Sequence, residues 1–360
     1  MEKREYNISF TTPAFLGDAN QQGKWRTPPF KALIRQWWRI VVAKEYHYHT
    51  DDIRKAEAEL FGCAADENGG GKSKLRLRLG AWKKGSLAQW NKKGFSRLDR
   101  QVSSDVYLGY GPVSPASKKD NKPSIHLSHP PAIEANEETN TLKIGFDPAC
   151  SDKQIQEVDQ AIQLIAWFGT LGGRSRNGWG SLHLLKKDNS DFGIPNVKEI
   201  ACFSSSLKDC LLYEYIDSEW ACAFATDEKG LLIWQQDVSS WQKAVDILAA
   251  LRKESRKSVE DFKTRGLQAT HLLGYPVMKP TASVWEDGAR FPNQLRFKVA
   301  QLEHSLRIYV IHLPCTVPNS VWKNGEDDMR DWVNDNQLRI WQTVHQYLDN
   351  SQLTRLGSTS

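Results

Sequence analysis

Residues 169–181 read Gly169-Thr-Leu-Gly-Gly-Arg-Ser-Arg-Asn-Gly-Trp-Gly-Ser181, five glycines and two arginines set between a helical apolar run and a strand-like one. Glycines adopt positive φ and let backbone N–H groups approach an anion, while Arg174 and Arg176 supply charge and bidentate donors. The segment therefore reads either as an anion cradle or as a tight structural turn. It is not a nucleotide P-loop, because no Gly-Lys-Ser/Thr follows and the order is helix to strand rather than strand to helix.

The periods on either side define the fold. Tyr6, Ile8 and Phe10 alternate as in a strand that ends before Pro13 and Gly17. Thr27-Pro28-Pro29 opens a helix expected over 30–44, with Phe30, Leu33, Ile34, Trp37, Trp38, Val41 and Val42 at steps of three and four and with Lys31, Arg35 and Arg39 on its polar face. A second helix is expected over 51–61, capped by Thr50. Leu75, Leu77 and Leu79 then face away from Lys74, Arg76 and Arg78, which is a half-buried strand with a cationic outer side.

Residues 80–139 lack a sustained period and read as long excursions. A strand over 141–146, a helix capped by Ser151 and a strand over 179–185 complete the order strand, helix, strand, strand, helix, strand. That is the split βαβ order of a ferredoxin-like domain. Farther on, 201–212 and 219–234 read as strand-rich, 238–251 as a helix, and 294–299 with 305–312 as a hairpin before a terminal amphipathic helix. The expected fold class is α+β, with two ferredoxin-like domains carrying long insertions, one over 1–195 and one with the terminal helix over 196–360.

Charge is unevenly spread. The chain of 360 residues carries a formal +5, yet between Lys72 and Arg100 ten bases face one acid, so this segment holds +9 and the rest is net acidic. A local excess of that size points to a polyanion. Fourteen tryptophans add potential stacking platforms, although most tryptophans in a chain of this size belong to a core. The six cysteines form no CxxC pair and read as buried free thiols, and no metal or cofactor is expected. The apolar stretches are too short for a membrane helix, so a soluble, cytoplasmic protein is expected.

The glycine-rich loop resembles that of the RAMP superfamily of CRISPR proteins, and the resemblance extends outward from it. Phe10-Thr-Thr-Pro-Ala-Phe-Leu-Gly17 is similar to the family's opening strand, Phe30-Lys-Ala-Leu-Ile-Arg-Gln-Trp-Trp-Arg39 to its first helix, and Glu59-Leu-Phe-Gly62 with Ser73-Lys-Leu-Arg76 to its turn and second strand. The Trp-Trp-Arg form is similar to that of a two-domain subunit of Cmr-type, type III-B effector complexes. Arg290-Phe-Pro-Asn-Gln-Leu-Arg-Phe-Lys298 is similar to a strand of that subunit's second domain. Ala32 stands where many such helices have Gly, and Pro292-Asn-Gln replaces small residues.

The resemblance implies a non-catalytic subunit that binds guide RNA (crRNA) and target RNA among other effector subunits in antiviral defence, holding the guide's 3′ portion. Its expected RNA contacts are Lys31, Arg35, Arg39, Lys74, Arg76, Arg78, Arg174, Arg176 and Asn177, the backbone at Gly172, Gly173 and Gly178, and Trp179, which either stacks on a base or packs beneath the loop. Two alternatives stand beside this reading. A metal-independent endoribonuclease that processes guide RNA would use His47 or His49 as general acid or base. A scaffold touching only protein would use Trp37-Trp38, since neighbouring helix positions lie about 100° apart and only one is expected to enter its own core. The carboxylate pairs Glu57 with Glu59, Asp51 with Asp52, and Asp327 with Asp328 read as helix-start or solvated charges.

Overall fold

The computed structural model describes residues 2–64, 70–90, 98, 102–115, 125–212, 220–275 and 281–357. Lys92, Lys93, Arg97 and Arg100 of the basic segment lie outside the described residues. The first half contains β1 (Lys3–Phe10), α1 (Thr27–Val42), α2 (Thr50–Phe61), β2 (Leu75–Leu79), α3 (Ser104–Gly109), β3 (Val113–Pro115), β4 (Ile125–Leu127), β5 (Asn140–Phe146), α4 (Asp152–Phe168) and β6 (Leu182–Lys186). Four of these strands form an antiparallel sheet in the order β2-β5-β1-β6, with α1 and α4 supplying the two crossovers. This is the split βαβ topology.

Local chemistry explains these bounds. Pro28 and Pro29 preset the first turn of α1, where no N–H is needed. Ser151 caps α4 in a full capping box with Gln154, two bonds of 3.2 Å each. His49, not Thr50, is the cap residue of α2, with Thr50 in its first turn beside Asp51 and Asp52. Residues 80–139 are less irregular than their composition suggests. Among the described part, α3 and the β3–β4 hairpin carry Val106, Leu108, Val113 and Leu127 into the core, and Trp90 donates to Asp105 at 2.8 Å.

The second half runs α5 (Val197–Ala201), β7 (Ser204–Ser206), α6 (Leu207–Leu211), β8 (Phe224–Asp227), β9 (Gly230–Leu231), β10 (Ile233–Val238), α7 (Trp241–Lys257), β11 (Lys263–Thr264), β12 (Leu267–Gln268), α8 (Ala269–Leu272), β13 (Leu295–Gln301), β14 (Leu306–His312), α9 (Asp327–Asp349) and β15 (Thr354–Arg355). Its main sheet has the order β13-β14-β10-β15, so β10, α7, β13, β14, α9 and β15 repeat the topology of the first half. The stretch 201–212, expected as strand-rich, is half helical, because Asn196 and Ser206 cap two short helices around a three-residue strand. Cysteine burial also departs from expectation: Cys210, Cys222 and Cys315 are buried, but Cys63 and Cys202 are exposed.

Both tryptophans of the Trp-Trp pair are buried, one wholly inside its own domain and the other where the two halves meet. Trp38 lies edge-on to Phe61 and donates to Glu157 at 2.9 Å, inside its own domain. Trp37 instead meets Phe168 and Phe224, the latter from the second half, so the partner expected from another subunit is supplied by the same chain.

Between β14 and α9, His312 Nδ1 and His345 Nε2 sit 2.9 Å apart, with the Trp341 ring tilted against that of His312 at 4.0 Å between centroids. Burial lowers both pKa values, that of His345 to about 3 and that of His312 well below its ordinary value. The unfolded chain therefore binds more protons than the folded one below pH ~6.5, and stability present above that pH is lost on acidification at up to about 1.4 kcal/mol per pH unit for each ring. His345→Gln is expected to flatten the fall of the thermal midpoint between pH 7 and pH 5. An unchanged slope in that variant would assign acid sensitivity elsewhere.

Candidate nucleic-acid interface

The glycine-rich loop joins the two halves. Phe297 N–H donates to Arg176 O at 3.0 Å, and Val299 N–H donates to Ser181 Oγ at 2.9 Å. Between them, Lys298 is buried and its ammonium donates to Gly169 O at 2.7 Å and to Leu182 O. Burial pushes its pKa down to about 7. Phe168 closes the junction edge-on to Tyr309 and Phe224, with centroids 5.5 and 5.7 Å away.

The loop is thereby committed more deeply to the protein than its composition suggests. Gly172 has φ +100°, and a Cβ there would fall 2.7 Å from Phe15 O. Gly180 has φ +61°, and a Cβ would fall 2.0 Å from Leu171 O. The amides of Gly173 and Gly178, expected to face an anion, donate instead to Phe15 O at 2.9 Å and Ser175 O at 3.0 Å. Asn177 is buried, donates to Leu108 O at 2.7 Å and accepts from Arg252 of α7. Trp179 is fully buried against Phe15, Trp90 and Trp241, which takes its indole out of reach of a base.

The two arginines point to different places. Arg174, at φ +58°, is exposed and donates through Nε to Tyr110 O at 2.6 Å. Arg176 lines a cavity of about 360 Å³ between the halves, together with Arg35, Gln36 and Arg39 of α1, Trp220, Asn293 and Arg296. Ala32 and Pro292 are in its wall, so both departures from the family pattern fall at this cavity. Gln36, with its amide oxygen turned inward, accepts from Arg296. Burial, and then the neighbouring Arg176, lower the pKa of Arg296. Its Nε and the Asn293 amide nitrogen are buried donors with no partner among the described residues.

Glu57, read from the sequence as solvated, is buried beneath this cavity and accepts from Arg35 Nε at 2.6 Å and from Arg39 Nη2 at 2.9 Å. Burial pushes its carboxyl up, but Arg39 and then Arg35 outweigh that and hold it below its ordinary value. Arg39 also stacks 4.2 Å from the Trp220 centroid, with Arg54 at 5.1 Å from the same ring. The cavity thus collects four guanidiniums against one carboxylate.

A protein-family model for the RAMP superfamily matches residues 7–183. This span of the chain belongs to the RAMP superfamily. No curated protein matches the sequence. Among solved structures, Cmr1 from Pyrococcus furiosus in its apo form is similar at 15% identity, covering 94% of this chain and 97% of that one with a TM-score of 0.44. A chain of a type III-B Cmr-beta complex bound to cognate target RNA is similar at 12% identity over 96% and 100%, with a TM-score of 0.49. A chain of a type IV-B CRISPR complex is similar at 14% identity over 51% and 89%, with a TM-score of 0.31.

In the RAMP domain, β2 exposes Arg76 and Arg78 on the side of the sheet opposite the helices, where Lys143 pairs with Arg78 in register. Lys31 and Lys74 are half-buried, and Arg76 lies 3.6 Å from Asp147. His47 and His49 are exposed beyond the C-terminal end of α1 and do not line the arginine cavity. Among the described residues, no group of three or more His, Cys, Asp or Glu is placed to hold a metal, and no helix is long and apolar enough to cross a membrane. Arg296, Gln36, Asn293 and Trp220 are cavity residues that sequence reasoning missed. The available signal was Arg296 and Lys298 at alternate positions of an otherwise apolar strand.

Glu57→Gln removes the charge that positions two cavity arginines. It is expected to lower stability by about 1–3 kcal/mol, as for a partly exposed ion pair with one buried member. Denaturant unfolding measures this, and a change under a few tenths of a kcal/mol would show that Arg35 and Arg39 are held by other contacts.

Proposed function

We propose that the protein is a non-catalytic RNA-binding subunit of a type III-B CRISPR ribonucleoprotein that holds the 3′ portion of guide RNA, target RNA or both in antiviral defence. The observation that carries the RNA reading is the cavity between the halves, where Arg35, Arg39, Arg176 and Arg296 converge with buried donors left over. Phosphate oxygens satisfy such donors and relieve the repulsion among the guanidiniums. Arg76, Arg78 and Arg174 supply further exposed cations on the RAMP domain. Membership of that superfamily supports the CRISPR setting, and the Trp-Trp-Arg form of α1 supports type III-B.

Arg35→Ala with Arg176→Ala is expected to weaken single-stranded RNA binding by about 2–4 kcal/mol, from two charge-assisted groups at roughly 1–2 each. The slope of log affinity against log salt should fall by about 0.7 per lost contact. Arg39 remains to pair with Glu57, so the thermal midpoint should hold. Parental affinity in this variant would remove the cavity from the RNA path.

A processing nuclease is the competing reading, favoured by the consecutive positive φ values of His47 (49°) and Tyr48 (61°), a strained pair of the kind found at functional sites. Labelled guide precursor incubated with the full chain is expected to stay intact with or without divalent metal. Discrete products lost in His47→Ala or His49→Ala would establish the nuclease instead.

A further inference from the structure

Fourteen tryptophans are present, and among the described residues Trp82 is the one that is exposed, at 57%. It follows β2 directly, four residues beyond Arg78 and so within about 14 Å of it along the chain. An exposed indole on a floppy loop would carry little meaning, but this loop is pinned on several sides. Asn140 clamps Ala81 through both its amide atoms, at 3.1 and 2.8 Å. Trp25 N–H donates to Lys83 O at 2.9 Å, and Gly85 N–H donates to Gly23 O at 2.9 Å. Gly85 lies so close to the neighbouring chain that a Cβ would fall 2.1 Å from Ala132 O.

The charges next to the indole along the chain are of one sign. Lys83 and Lys84 are exposed beside it, and Lys24 pairs with Lys84 across an isolated bridge. Glu138, the carboxylate this loop touches, is buried and already accepts from Ser86 N–H at 2.7 Å and from Trp25 Nε1 at 3.1 Å. A rigid aromatic face flanked by cations, continuous with the exposed arginines of a sheet, matches what single-stranded nucleic acid requires: a surface for the base and charge for the phosphates on either side of it.

We propose that Trp82 is a base-stacking platform for single-stranded RNA, with Lys24, Lys83 and Lys84 holding the flanking phosphates, at a site separate from the arginine cavity. The proposal rests on the RNA-binding reading given above and extends it to a second contact point. Base–aromatic stacking tolerates any sequence, because every base offers a π-face.

The test uses the full chain and a fluorescein-labelled oligouridylate. Trp82→Ala is expected to weaken binding about tenfold, within the range for loss of one stacked base, while Trp82→Phe keeps most of the affinity. In the parent, RNA should quench the red edge of the indole emission, and that quench should vanish in Trp82→Phe. If the parent binds RNA, the Arg35→Ala, Arg176→Ala variant binds poorly, and Trp82→Ala binds as the parent does, the stacking proposal falls and the RNA reading stands. If the parent binds no RNA at all, both fall together. Parental RNA affinity in Trp82→Ala combined with loss of co-purifying effector subunits would overturn the proposal in favour of a protein-docking indole.

Discussion

A single buried ammonium organises the junction on which the rest depends. Lys298 leaves water without an anion beside it and is compensated by two backbone carbonyls, one just past α4 and one at the start of β6. Those carbonyls converge because the glycine-rich loop folds back on itself, which needs Gly172 and Gly180 in conformations that side chains resist. Carbonyl dipoles offset only part of the desolvation, which is why the pKa falls to about 7. The apolar contacts of Trp37, Phe168, Phe224 and Tyr309 around it supply the burial that makes the arrangement tolerable.

The arginine cavity is a product of that docking. Arg35 and Arg39 come from the first helix, Arg176 from the loop and Arg296 from a strand of the second half. Neither half holds the set alone. Lys298 and Arg296 occupy alternate positions of β13, so the register that buries the ammonium against the first domain also sends the guanidinium into the cavity. Glu57 from α2 fixes two more guanidiniums from below. Shape and charge at the cavity therefore follow from how the halves meet.

Much of the fold was legible because periodicity reports burial. The alternation through Tyr6, Ile8 and Phe10, and the helical steps of α1 and α4, mark one buried face each, and the structure has those faces inward. Arg76 and Arg78 lie outward as alternation on a one-sided sheet requires. Legibility stopped where a second surface covers the first. Trp37 stacks on Phe168 at the edge of its own domain, and its burial is completed by Phe224 from more than 180 residues on. Trp179 and Asn177 sit in a loop whose composition suggests exposure, yet Trp90, Trp241 and Arg252 close over them. Glu57 looked like a surface charge because its partners lie a turn apart on another helix.

The order in which the chain is synthesised gives the Lys298 contact a timing. The carbonyls of Gly169 and Leu182 emerge with the first half, whereas the ammonium that binds them is encoded over a hundred residues later. At about 5–20 residues per second the interval is on the order of ten seconds. Throughout it, the nascent first half presents Trp37 and Phe168 uncovered, with the Gly169 carbonyl held by the Leu182 N–H alone and the Leu182 carbonyl left to water. Its completed sheet has to persist on the ribosome with this face open, and the arrival of β13 displaces that water and seals the junction.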